Sequence, residues 1–146
     1  VAEAQGILAA EVIGAQSSRQ IDDYRFMPRA VYSLPQVASF GLTEAQAQEE
    51  YTQILVAKFP FVANGKAHAV GETTGFVKLI ADSESRTLIG GHLVGPDVSE
   101  LLPELTLAAN QKVTIDELAH NVHAHPTLSE SLQEAIHGLA GSMINF

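Results

Sequence analysis

The sequence predicts an α+β domain, an antiparallel β-sheet with helices packed on it. Three features point there. Short β-rich runs fill the middle of the chain. Helical periodicity of 3.6 residues takes over after Gly95-Pro96. Three Thr-x-x-Glu/Gln signatures mark helix starts. The chain has 146 residues, 46% hydrophobic and 17% charged, enough for one domain with a real core.

Taken in order, Ala4, Ile7, Leu8 and Val12 mark one face of a first helix running to about Gly14. It begins without a cap and without Met, as expected of a piece cut from a longer chain. Residues 15–23 are polar and read as a linker. Ala30-Val31-Tyr32 and Val37-Ala38-Ser39-Phe40 are short strands punctuated by Pro28 and Pro35. Thr43-Glu44-Ala45-Gln46 is a capping box opening a helix that ends near Glu50. Residues 53–59 form a β-rich run stopped by Pro60. Residues 76–81 and 88–94 are strands joined by a polar turn, an antiparallel hairpin. Val98, Leu101, Leu102, Leu105, Ala108 and Ala109 then follow a helical period. Pro103 lacks an amide donor, so it must lie in the first turn or at a kink. Thr114-Ile115-Asp116-Glu117 opens a short helix toward Asn121. Thr127-Leu128-Ser129-Glu130 opens the last one, toward Gly138.

Composition excludes several roles. A net charge of −9, with no Lys/Arg cluster, argues against nucleic acid and against an anionic membrane surface. No apolar stretch is long enough to span a bilayer, and the start has no basic signal-peptide region. The chain has no cysteine, so it holds no disulfide, no Cys-based metal site and no thiol nucleophile. A cytoplasmic protein is expected.

The segment with most chemistry is His123-Ala124-His125-Pro126-Thr127-Leu128-Ser129-Glu130. Imidazole takes and returns protons near neutrality, and a base of this kind needs its second ring nitrogen held by an orienting group. Pro126 forces a turn, with a candidate cis bond, that can bring Glu130 back toward His125. Glu130 is equally explained as the end of a capping box, and both histidines as surface or core residues. If the chain is extended here, His123 and His125 point the same way. A metal held by His123, His125 and Glu130 lacks a fourth ligand, so no metal is expected. His68, in Lys66-Ala67-His68-Ala69, is read as a loop residue near a substrate approach. His92 lies in a strand pattern and reads as structural. His120 and His137 sit near helix C-termini. No Gly-rich dinucleotide fingerprint occurs anywhere.

Three ordered blocks carry a resemblance: residues 31–44 (Val31-Tyr32-Ser33-Leu34-Pro35 onward), residues 75–96 (Gly75-Phe76-Val77 to Val94-Gly95-Pro96), and His123 to Glu130. They resemble the C-terminal dimerisation (interface) domain of the flavoprotein, pyridine nucleotide-disulfide oxidoreductases, over nearly the whole chain. The Thr-Leu-Ser-Glu ending is most similar to the dihydrolipoamide dehydrogenase branch. Met27-Pro28-Arg29-Ala30 and residues 101–108 are similar to its actinobacterial type. Gln36 replaces the commoner Glu after Pro35, at a turn where no functional consequence is expected. The resemblance implies that residues 1–24 are the last helix and linker of an upstream FAD domain and 25–146 the interface domain. It implies a homodimer whose parent enzyme uses FAD and NAD, with no cofactor bound by this piece alone. His125 would be the base that oxidises dihydrolipoamide at the partner subunit's flavin and disulfide. Glu130 would orient it, and the His125-Pro126 backbone would approach that flavin. His68 and His123 would line the substrate channel. Lipoyl domains and the acyltransferase core of 2-oxoacid dehydrogenase complexes are the implied further partners. Two other readings stand beside this one: a non-catalytic dimerisation module, and the interface domain of a glutathione reductase-like enzyme.

Overall fold

The computed structural model describes residues 1–16 and 23–144. Five strands form one fully antiparallel sheet in the order β1-β2-β5-β4-β3. They are β1 (Arg29–Val31), β2 (Gln36–Gly41), β3 (Ile54–Pro60), β4 (Phe76–Asp82) and β5 (Leu88–Gly95). The α+β expectation holds. β4 and β5 form the expected hairpin, and β5 sits at the centre because β2 pairs with it across a long connection.

Alternation explains the two faces. Ala38, Phe40, Ala57, Phe59, Val77, Leu79 and Leu93 point to one side and are buried there. Against them pack α4 (Leu102–Gln111), α5 (Ile115–Leu118) and α6 (Glu130–Ala140), through Leu105, Ile115, Leu132 and Ile136. Burying each such side chain stabilises by roughly 1.5–3 kcal/mol. Gly91 lies opposite Phe40, and a Cβ there would stand 2.4 Å from the ring. The opposite face is covered at one end by α2 (Glu44–Glu50), where Leu42, Ala47, Ile80 and Ile89 make a second, smaller core.

The caps of α2 and α5 form as expected, with reciprocal Thr43–Gln46 and Thr114–Glu117 bonds. Pro103 sits at the opening of α4, where its missing amide costs no helical bond. A short 3-10 turn, Val98–Leu101, precedes it, so the expected single helix is in fact two pieces.

Further expectations need correction. Pro60 does not stop β3 but is its last residue; β3 is an edge strand, where a proline forfeits no ladder bond. His68 is not in a loop. It lies on α3 (Gly65–Val70), a helix without apolar periodicity that Asn64 caps through the Ala67 N–H. The helix opened by Thr114 ends at Leu118, short of Asn121. Thr127 does not cap α6: the cap position is Ser129, and the Thr127 hydroxyl donates to the Ala124 carbonyl at 2.6 Å instead. α1 (Ala2–Ile13) forms as expected, but none of its residues is buried, and Ile7, Val12 and Ile13 are exposed. The expected linker falls mostly on residues 17–22, outside the described ones. Among the described residues no helix is long and apolar enough to cross a membrane.

Candidate active site

Residues 121–129 run between α5 and α6 without regular structure, and this segment carries the histidines. The His125-Pro126 bond is cis. His125 Nδ1 meets Glu130 Oε1 at 2.9 Å, and the Thr127 N–H donates to Glu130 Oε2 at 2.8 Å. One carboxylate therefore holds the ring and closes the turn that presents it. Glu130 opens α6, where the helix N-terminus favours a negative charge. Burial pushes its carboxyl pKa up, but the Thr127 N–H, His125 and, at longer range, His123 outweigh this and hold it below the ordinary value. The His125 side chain is 80% exposed. With Nδ1 engaged by Glu130, Nε2 is the ring nitrogen left to exchange a proton.

The turn is fastened from below by Asn64, which is 3% exposed. Its Nδ2 donates to the Thr127 carbonyl at 3.0 Å and to Ser131 Oγ at 2.9 Å. Sequence reasoning missed Asn64, Ser131 and Glu104. Their partners lie far along the chain, and the one local signal was Asn64 ahead of Gly65 as a helix cap.

His123 and His125 do not share one environment, as the extended-chain expectation had it: one side chain is buried against Glu104 and the other is exposed beside Glu130. The His123 side chain is only 5% exposed. Its Nε2 contacts both Glu104 oxygens, at 3.1 and 3.2 Å, and Asn121 Nδ2 donates to the same carboxylate at 3.0 Å. The Glu104 bond raises the His123 pKa against the opposing effect of burial; the same bond lowers that of Glu104. His123, His125 and Glu130 thus do not converge on one point.

A cleft of about 320 Å³ opens beside His125 and Glu130, lined also by Phe59, Asn64, Glu134 and His137. Neither His68 nor His123 lines it. His68 is exposed on α3, with Nε2 2.7 Å from the Val62 carbonyl. His92 Nε2 contacts the Leu42 carbonyl, in keeping with a structural role. His120 and His137 contact the carbonyls of Asp116 and Ala119. An exposed imidazole with an anchored carboxylate on its far nitrogen can accept and return one proton, with the imidazolium stabilised in between.

Comparison with known proteins gives this geometry a context. Residues 27–136 match the family model for the pyridine nucleotide-disulphide oxidoreductase dimerisation domain. Over its whole length the chain is 60% identical to a dihydrolipoyl dehydrogenase of Mycobacterium tuberculosis, covering 32% of that protein. It is 54% identical to the Corynebacterium glutamicum protein of the same name, again covering 32% of it. The chain thus spans about a third of these relatives. Among solved structures, LpdA from Mycobacterium tuberculosis superposes with a TM-score of 0.85 at 27% identity, over 92% of this chain and 29% of that one. The flavoprotein disulfide reductase RclA from Escherichia coli gives 0.82 at 25% identity, over 89% of this chain and 30% of that one.

Proposed function

We propose that this chain, which belongs to the pyridine nucleotide-disulphide oxidoreductase dimerisation-domain family, is the interface domain of a cytoplasmic dihydrolipoyl dehydrogenase and lends His125 and Glu130 to a partner subunit. The observation that carries this is the 2.9 Å contact between His125 Nδ1 and Glu130 Oε1 on an imidazole that is 80% exposed. The names and identities of the mycobacterial and corynebacterial relatives support the substrate.

The chemistry assigned to these residues is proton transfer. A thiol of dihydrolipoamide gives its proton to His125 Nε2. The thiolate then attacks a disulfide brought by the partner subunit; a new S–S bond forms as the old one breaks. His125 returns this proton to the sulfur that leaves and takes the proton of the second thiol; that thiolate attacks the mixed disulfide, closes the lipoamide ring and releases the other sulfur of the reduced pair, to which His125 hands the second proton. Glu130 keeps the ring in the required orientation and stabilises it while charged. In the whole enzyme a bound FAD would supply the two-electron redox chemistry, with NAD as the proposed final acceptor. The residues here fit contact with a flavin held elsewhere: the exposed imidazole and the neighbouring His125-Pro126 backbone stand at a cleft, and the chain carries neither a dinucleotide fingerprint nor a thiol of its own.

Residues 1–24 are assigned to an upstream FAD domain; the exposed Ile7, Val12 and Ile13 of α1 support this. Residues 25–146 are assigned to the interface domain of a homodimer. His68 and His123 remain assigned near the substrate approach, His68 by its exposure and His123 indirectly, through the loop it anchors. Lipoyl domains and an acyltransferase core are the proposed further partners.

The test is His125→Gln in the full-length flavoenzyme. Oxidation of dihydrolipoamide should collapse while the dimer and its flavin persist. Unchanged turnover would leave a dimerisation module without catalytic duty. Turnover of glutathione disulfide in place of lipoamide would move the chain to the glutathione reductase-like branch.

A further inference from the structure

His125 stands on a segment that has no helix or strand of its own. Its orientation must come from whatever fastens residues 121–129 at either side. On the C-terminal side the fasteners are Glu130 and Asn64, both bonded to Thr127. On the N-terminal side the described structure offers a different device. Asn121 and His123 both reach Glu104, at 3.0 Å and at 3.1–3.2 Å. Glu104 lies in the first turn of α4, and α4 is sunk in the core through Leu102, Leu105 and Ala108. The carboxylate is therefore tied to the rigid frame, not to the loop.

Burial makes the choice of histidine at 123 informative. The side chain is 5% exposed, yet among the described residues its buried Nδ1 makes no hydrogen bond of good geometry, only a looser contact with the Asn121 backbone. A half-satisfied imidazole is a poor filler for an apolar space; leucine would pack there without a poorly bonded nitrogen. What leucine would not supply is a directional bond to Glu104. The next residue but one, His125, faces outward.

We propose that His123 and Glu104 are a positioning pair for the reaction: their buried bridge pins residues 121–127 to α4 and fixes where the His125 ring stands relative to Glu130 and the incoming thiol. This rests on His125 being the base. Neither member of the pair touches the reacting atoms. Small errors in the placement of a base are costly, because proton transfer needs hydrogen-bond reach.

The experiment uses the full-length flavoenzyme with Glu104→Ala, Glu104→Gln and Glu104→Asp, and with His125→Gln as reference. Two activities are followed: dihydrolipoamide oxidation by NAD, and NADH-dependent reduction of a quinone, which draws electrons from the flavin without thiol deprotonation. Glu104→Ala should lower kcat for the dithiol roughly ten- to a hundredfold, with KM and quinone turnover near wild type. Glu104→Gln should restore most of kcat, because its amide oxygen still accepts from His123 Nε2–H. If the alanine variant does not fold, Glu104→Asp serves: it keeps the charge but shortens the arm, and should lower dithiol kcat with quinone turnover intact. An unchanged kcat in Glu104→Ala or, failing that, Glu104→Asp overturns the proposal. So does a parallel loss of both activities, which marks a structural role, or a glutamine variant as slow as the alanine one. If His125→Gln retains full dithiol turnover, the base assignment itself falls and takes this pair with it. If only the Glu104 variants behave as wild type, the base stands and the positioning role alone is lost.

Discussion

Two imidazole–carboxylate pairs lie two residues apart in this protein, and burial separates them. His125–Glu130 has its imidazole 80% exposed; His123–Glu104 has its imidazole 5% exposed. The chemical groups are the same. The outer pair keeps one ring nitrogen free at a cleft, so it can exchange a proton. The inner pair has no such access and serves as a bracket. The difference teaches that neither a histidine motif nor a His–Glu contact identifies a base; the accessibility of the second nitrogen does.

Substituting the outer imidazole is the largest way to break this comparison. His125→Gln in the full-length enzyme should reduce dithiol turnover by about 10²–10⁴. Its thermal midpoint should stay close to wild type, since little packing is lost at an exposed position. A His125→Gln enzyme that is destabilised yet still turns over would reverse the roles assigned to the two pairs.

Asn64 gives the next largest effect, this time on stability. Asn64→Ala removes donors to the Thr127 carbonyl and Ser131 Oγ and the cap on the Ala67 N–H. The loss should be about 3 kcal/mol, at roughly 1 kcal/mol for each bond or cap. Urea denaturation should show a lower midpoint with an unchanged slope. A loss no larger than that of an exposed alanine substitution would mean that the turn holds itself.

How much of this was legible in the sequence follows from contact range. Strands β2, β4 and β5 were readable from alternating Val, Phe, Ile and Leu. The caps at Thr43 and Thr114 were readable because both halves lie three residues apart. His125 with Glu130 was readable for the same reason, five residues apart across a proline. Glu104 lies 19 residues from His123, and Asn64 lies 63 and 67 residues from the Thr127 and Ser131 groups it holds, so no local pattern announces these contacts, although the cap of Asn64 on Ala67 is local. α3 was missed because only Ala67 of its six residues is buried, which leaves no stripe to read. At Thr127 a sound local rule gave the wrong cap, because the turn around Pro126 draws the hydroxyl to Ala124.

The inner pair should also leave a smaller, pH-dependent mark on stability. The folded pKa of His123 is raised, so its contribution is full below the unfolded value of about 6.5 and is lost as pH rises through the folded value. That of Glu104 is lowered, so its contribution is present above roughly 4.3 and is lost as pH falls through the folded value. The pair is therefore most stabilising between about pH 4.5 and 6.5. Melting curves of wild type and His123→Gln across pH 4 to 9 should be furthest apart in that window and converge above it. A gap that is constant with pH would show that His123 is neutral in the fold and acts by packing alone.

The smallest expected effect sharpens the comparison from the other side. Glu130→Gln keeps an oxygen to accept from the Thr127 N–H, and Glu130 is 27% exposed at the helix start. Its stability should change by less than about 1 kcal/mol, as for other partly exposed ion pairs. Dithiol turnover should nonetheless fall, because an amide stabilises the imidazolium less well than a carboxylate does and no longer fixes which ring nitrogen carries the proton. A melt near wild type together with slow turnover would place Glu130 with the chemistry, whereas Glu104 belongs with the frame. A Glu130→Gln enzyme that melts early but turns over normally would exchange those two positions, and the accessible nitrogen would no longer distinguish the pairs.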